Sequence, residues 1–351
     1  MIILADDVLE VVFAHLRQGR LPPAVIRVNK QWYRLGVRDL YSDISLKLAV
    51  GSTIDSPEPV ISCMKTLATS PTAVAVRHLA IQGFVSGGIR DLILSILEKT
   101  TGLLSLDIRI QVFPPDPLLS HRLCTSKEFL SRLVAINTSD VSSFILLAAG
   151  RSLHAIRIHG FMDALLRDQV LTTLVASSSQ LTQLQLAFNI ETIGAITELL
   201  CRITHSFPTI TVLGVQFRLP KPADVTFEVL EHIIHEVGPV LSCLYSLNTL
   251  SLAVLPDPML QPSRETPTID DNRLQANIDR HEAKTRELAQ MVVANYASAL
   301  RRIELRWHGW TVDTNGWTPI DQCDDVGCSR QGCTEAMRPR GIFDRNGTCT
   351  P

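Results

Sequence analysis

Two places in the chain hold residue types that ligate metals. His232-Ile-Ile-His235-Glu236 sets two imidazoles on one face of a helix, and Cys323-x4-Cys328-x4-Cys333, with Cys349 beyond it, supplies four sulfurs. Neither has the spacing that metal chemistry needs. The first departs from the order H-E-x-x-H, and the second lacks the paired C-x2-C knuckle of a structural zinc site. The histidines are therefore expected on a solvated helix edge, with no metal at either place. The sequence also contains no G-x-G-x-x-G, no P-loop and no G-x-S-x-G nucleophile elbow. It reads as a chain without catalytic residues or a cofactor of its own, whose work is binding.

Composition narrows what is bound. Lys+Arg is 33 against Asp+Glu 35, a formal charge of -2, so a nucleic-acid backbone is not expected as the main partner. The apolar share is 46% with only 5% aromatic, a balance that suits stacked Leu, Ile and Val layers. Cys63, Cys124, Cys201 and Cys243 lie in apolar runs and are expected to be reduced and to act as small hydrophobes. The start, Met1-Ile2-Ile3-Leu4-Ala5-Asp6-Asp7, has no basic region ahead of an apolar one, which points to a cytoplasmic or nuclear location. The longest uncharged run, between Glu236 and Asp257, is broken by Pro239 and Asn248, so no membrane helix is expected. Asn137-Thr-Ser and Asn346-Gly-Thr are expected to be chance matches to the glycosylation sequon.

One hexamer, apolar-x-x-apolar-x-apolar, returns along the chain. It appears as VRHLAI from Val76, LLSLDI from Leu103, LHAIRI from Leu153, LTQLQL from Leu181, ITVLGV from Ile210, LNTLSL from Leu247 and LRRIEL from Leu300. Successive copies start 27, 50, 28, 29, 37 and 53 residues apart, and a degenerate copy, LSRLVA from Leu130, would divide the gap of 50. Between them lie helical patterns over 89–100, 162–176, 191–203 and 227–238, with a long polar helix over 272–296 after a Pro-rich loop at 255–271. Each unit reads as strand, loop, helix. In a strand the fourth and sixth residues share a face, so every hexamer presents one apolar layer that only a neighbouring copy can cover. The expected fold is α/β: a curved solenoid with a parallel sheet inside and helices outside.

The alternate residues then point away from the core along the inner sheet face. They include His78, Ala80 and Gln82; Ser105, Asp107 and Arg109; Ala155, Arg157 and His159; Gln183 and Gln185; Gln216; and Arg302, Glu304 and Arg306. Unlike polar side chains on a rigid sheet suit recognition of a protein, because rigidity limits the entropy lost on binding. From this set His78, Gln82, Asp107, Arg109, Arg157, His159, Gln183, Gln185, Arg302, Glu304 and Arg306 are the candidate contacts to a bound protein. The region resembles the leucine-rich-repeat family, without the Asn or Cys that the family carries after the hexamer in most copies.

The stretch before the repeats is different in kind. Leu9, Val12, Phe13 and Leu16 fall at i, i+3, i+4 and i+7 behind Asp6, a helix N-cap, and Gly19 ends that helix. Pro22 and Pro23 open a second helix, and a third carries Trp32, Leu35 and Leu40 before Ile44 and Leu46 become extended. Three short helices in so few residues have a poor core of their own and need something to pack against.

The order of residues from 2 to 48 resembles the F-box: Leu4, Asp7, Val8-Leu9, Val12-Phe13, Leu16, then Val28, Lys30 and Trp32, then Leu40-Tyr41 and Ile44-x-Leu46. Ala5 stands where the motif has Pro, and Asn29 where it often has Cys or Ser. An F-box followed by repeats resembles the fungal F-box/leucine-rich-repeat proteins. The resemblance implies that residues 1–48 dock onto a Skp1-type adaptor, and through it a cullin, with Leu4, Val8, Leu9, Val12, Phe13, Leu16, Val28 and Trp32 at or behind the interface. The other reading of the same side chains is that they form the core of the small bundle. Residues 49–310 then form the solenoid that holds a substrate protein. Residues 311–351 form a cap, with Trp307, Trp310 and Trp317 clustered at its start, and a tail rich in Gly, Asp, Arg and Pro. The alternative is a repeat scaffold outside ubiquitin transfer.

Overall fold

The computed structural model describes residues 36, 40–48, 58–85, 87–112, 126, 128–177, 180–219, 227–256, 271–295, 299–305, 308–313 and 316–319. Of the expected three-helix bundle only Gly36 and Leu40, both helical, are among them; all its adaptor-facing residues lie outside, as do Arg306, Trp307, Cys124 and the C-terminal cysteines. The fold is α/β, with parallel strands alternating with helices, and the chain divides after Arg151 into two compact units.

In the first unit the strands are β1 (Asp43–Lys47), β2 (His78–Val85), β3 (Ser105–Val112) and β4 (Ala135–Thr138), paired in parallel in chain order. Helix α1 (Glu58–Thr69) and a 3-10 turn (Pro71–Ala75) connect β1 to β2, α2 (Gly87–Lys99) connects β2 to β3, and α3 (Val141–Ala148) follows β4. The second unit holds β5 (Ala155–Met162), β6 (Gln183–Asn189), β7 (Val212–Leu219), β8 (Thr249–Pro256) and β9 (Arg302–Leu305), again parallel. Between them run α4 (Ala164–Ser177), α5 (Ile193–Ser206), α6 (Phe227–Leu241) and α7 (Asp271–Asn295). After β9 the direction reverses: β10 (His308–Asp313) and β11 (Gly316–Pro319) are antiparallel, and they carry Trp310 and Trp317. The uncharged run between Glu236 and Asp257 is divided between α6 and β8, and no helix among the described residues is long and apolar enough to cross a membrane.

The hexamer sets the register. Its fourth residues align as Ile44, Leu79, Leu106 and Ile136 in the first unit, and as Ile156, Leu184, Leu213, Leu250 and Ile303 in the second. Its first residues, Val76, Leu103, Leu153, Leu181, Ile210, Leu247 and Leu300, are all buried. Each fully buried aliphatic side chain of this kind contributes about 1.5–3 kcal/mol. The backbone repeats with the same period. The carbonyl of the second residue accepts both the second and the third N–H of the next copy: Arg77 from Leu104 and Ser105, Thr182 from Thr211 and Val212, Thr211 from Asn248 and Thr249.

Two copies differ from the sequence reading. The degenerate one starts at Leu133, because Ile136 aligns with Leu106, and Leu130 lies in the preceding turn with φ 48°. Its sixth residue is the buried Thr138, which hides it from an apolar pattern. A further copy, Tyr41-x-x-Ile44-x-Leu46, forms β1, so the parallel strands begin inside the stretch assigned to the opening bundle. A cysteine expectation is also corrected. Cys201 and Cys243 are exposed, and Cys63 is half-buried. In α5 the buried stripe is Ile196, Leu199, Leu200, Ile203 and Thr204, which turns Cys201 outward.

Local chemistry explains the helix ends. Thr192 caps α5, its hydroxyl accepting the Ala195 N–H at 3.4 Å, and Asp140 caps α3 by accepting the Ser143 N–H at 3.2 Å. Arg151 closes α3, donating at 2.6 Å to the Leu147 carbonyl and at 2.6 Å to that of Phe129, which ties the helix to the turn before β4.

Candidate functional site

Alternation along each strand gives the ladders a second face of polar side chains, and the register turns it into rows. In the first unit Asp43, His78 and Ser105 are neighbours, then Ser45, Ala80, Asp107 and Asn137, then Lys47, Gln82 and Arg109. In the second, Ala155, Gln183, Val212, Thr249 and Arg302 form one row, and Arg157, Gln185, Gly214, Ser251 and Glu304 the next. Beyond a register shift in β5 between Arg157 and Phe161, the row Phe161, Ala187, Gln216 and Ala253 follows, with Asn189 beside Arg218 at its end.

The candidate contacts other than Arg306 and His159, which lies within the β5 shift, take places in these rows, but not all of them stand in solvent. Asp107, Arg157 and Glu304 are only 1%, 3% and 6% exposed, while His78, Gln82, Arg109, His159, Gln183, Gln185 and Arg302 are half-buried. Strands lie about 4.8 Å apart, so a row of long side chains covers the shorter ones between them. At Gly214 an added Cβ would meet the Gln185 Cγ at 2.7 Å, which places the Gln185 side chain over the β7 backbone.

Charge on the face is mostly satisfied within a strand. Arg109 donates to both oxygens of Asp107, at 3.0 Å from Nε and 3.1 Å from the terminal nitrogen. Arg302 and Glu304 repeat that i, i+2 arrangement in β9, with Nε donating at 2.8 Å. His78 Nε2 lies 3.9 Å from an Asp43 oxygen. Asn137 is 1% exposed, and neither atom of its amide has a hydrogen bond among the described residues. So deep a position leaves its sequon no reachable amide. Arg218 is handled differently: its guanidinium carbon sits 3.7 Å from the centroid of the Phe161 ring.

On the helical side, Leu171, Thr172, Val175 and Ala176 of α4 and Arg202 and Ser206 of α5 line an open groove of about 330 Å³. Arg202 donates to Asp168 there at 2.7 Å, and that hydrogen bond, followed by the charges of Arg202 and Arg167, holds the Asp168 carboxyl below its ordinary value. Burial pushes the Cys63 thiol up, which makes it a poor nucleophile. His232 and His235 are exposed on α6, and no group of three or more metal-ligating side chains occurs among the described residues. What the strand face can do is hold another molecule by hydrogen bonds and charge.

Sequence reasoning named most of this face and missed Arg218 with Phe161. Both lie beyond the hexamer. Counting by twos from Arg157 does reach Phe161, but the shift in β5 sets it two residues further along than its neighbour Ala187, so its cross-strand partners could not be read. In comparisons with known proteins, no family model and no curated relative matches this chain.

Proposed function

We propose that the chain is the substrate-recognition subunit of a Skp1-cullin-F-box ubiquitin ligase, non-catalytic and acting in the cytoplasm or nucleus. Its opening stretch docks the adaptor through Leu4, Val8, Leu9, Val12, Phe13, Leu16, Val28 and Trp32. Its strands form a leucine-rich-repeat array whose polar face holds a substrate protein. Transfer then follows from the raised effective concentration of substrate beside the charged conjugating enzyme.

The observation that carries this reading is a junction. An F-box-like order of residues runs through Leu40-Tyr41, and the parallel strands begin at once with Asp43–Lys47. The test is co-expression of the full chain with a Skp1-type adaptor. Wild type is expected to co-purify with it, and a Leu9→Asp, Phe13→Asp double variant to lose the adaptor while keeping the α/β circular-dichroism signal. A wild-type chain that emerges alone contradicts the adaptor role and leaves a protein-binding scaffold.

A further inference from the structure

Arginines repeatedly find a carboxylate: Arg109 with Asp107 and Arg302 with Glu304 on the strand face, and Arg202 with Asp168 on the helical side. Arg218 does not. Among the described residues its guanidinium has no carboxylate partner, its Nε has no hydrogen bond, and its contact is the face of Phe161.

The register explains how it gets there. Phe161 is aligned with Ala187, and Ala187 with Gln216, two residues before Arg218. Ala187 offers only a methyl group and is 1% exposed, so the Arg218 stem crosses β6 above it and lays the guanidinium on the ring. Stacking occupies the flat face of a guanidinium and leaves its N–H donors in the plane, fixed in direction; Nε is buried, so the terminal nitrogens are the ones that face a partner. Such a fork matches the two oxygens of a carboxylate.

The surroundings favour an anion. On the polar face of β5 to β9 the one described acid is Glu304, and it is already paired with Arg302. The acids that follow β5 and β6 do not neutralise Arg218. Asp163 accepts the Leu166 N–H at 2.9 Å, and Glu191 is exposed in the bend after β6. Asn189, exposed, and Gln216, half-buried, flank the site with amides suited to a peptide backbone.

We propose that Arg218, held flat on Phe161, is the point at which the strand face recognises an Asp or Glu side chain in an acidic segment of a partner protein. This rests on the reading of that face as a protein-binding surface. It adds a chemical class of partner and a residue to it.

The probe is a library of random short peptides selected on the full chain. Selected peptides are expected to share one acidic position. In binding measurements on one such peptide, Arg218→Gln raises Kd about tenfold, as expected for loss of a charge-assisted fork. Amidation of the shared acid does the same, and combining the two changes adds no further loss. Arg218→Lys recovers only part, and Phe161→Leu weakens binding about threefold by releasing the guanidinium. Arg218→Gln keeps the wild-type melting temperature. Selected peptides without a shared acid, an unchanged Kd for Arg218→Gln, or tighter binding of a phosphoserine version than of the Glu peptide would each overturn the assignment. Peptides weakened by Gln183→Trp or Gln216→Trp, which put neutral bulk at the start of β6 and beside the Arg218 site, but not by Arg218→Gln, overturn it and leave the face as a binding surface. Peptides insensitive to all three changes, or none selected, overturn both.

Discussion

The two units use one repeat and one register but close the step beyond the hexamer with different material. Two residues after the sixth position, on the core face, the first unit places Gly83 beside Ile110, and the second places Phe188 beside Phe217 and Val254. At Gly83, where φ is +122°, an added Cβ would lie 2.8 Å from the Leu48 carbonyl oxygen, so main chain closes that space. Leu48 also donates its N–H to the Gln82 carbonyl at 2.8 Å. In the second unit the phenyl rings close it, stacked with centroids 6.4 Å apart. The polar face differs in parallel: in β3 an arginine is neutralised by the acid two residues before it, whereas in β7 Arg218 is stacked and left to meet something else. The hexamer sets alignment, and the residues beyond it decide how each unit is closed and how its charges are met.

Breaking the ring closure carries the largest expected cost. Phe217→Ala empties a fully buried site and should lower stability to urea by about 3–5 kcal/mol. A loss under about 1 kcal/mol would mean that the rings fill space without supporting it. Next comes Gly83→Ala, expected to cost about 1–3 kcal/mol from the positive φ and the contact with Leu48. Retained stability would show that β1 does not close the first unit by main chain.

The polar face offers a sharper contrast at smaller amplitude. Arg109→Gln leaves the buried Asp107 without its two-pronged donor and should cost about 1.5 kcal/mol. Arg218→Gln should fall within about 0.5 kcal/mol of wild type, because no described carboxylate depends on it. Equal losses would erase the distinction between a structural and a recognition arginine. The smallest effect belongs to Asp168. Its carboxyl is lowered by Arg202, so the pair's contribution is present above the ordinary Asp value and is lost as pH falls through the lowered folded value. Both side chains are about half exposed, 43% and 51%, so the stability change for Arg202→Gln stays within about 0.5 kcal/mol. An NMR titration should still show the Asp168 carboxyl moving up in that variant.

What could be read from residues alone followed periodicity. Hexamers with three apolar positions gave strands in their true register, and long amphipathic stretches such as Ile193–Ser206 gave helices. Where one position was polar or borrowed, the pattern failed: Thr138 hid the copy at Leu133, and Tyr41 was absorbed into the opening motif. Helix α3, Val-Ser-Ser-Phe-Ile-Leu-Leu-Ala, is too short and too evenly apolar for a 3.6-residue period to stand out. Most of the polar face was legible for the same reason. Its burial was not, because that depends on which side chains become neighbours across strands. Arg218 on Phe161 joins two strands across a third, a contact that no spacing along the chain encodes.

Hydrogen–deuterium exchange on the full chain, alone and with a purified Skp1-type adaptor, tests the division of labour most directly. The account predicts slowed exchange over residues 4–32 and unchanged exchange in β2 to β9, whose polar face stays open for a substrate. Unchanged exchange over 4–32, or protection on the strands instead, would contradict it.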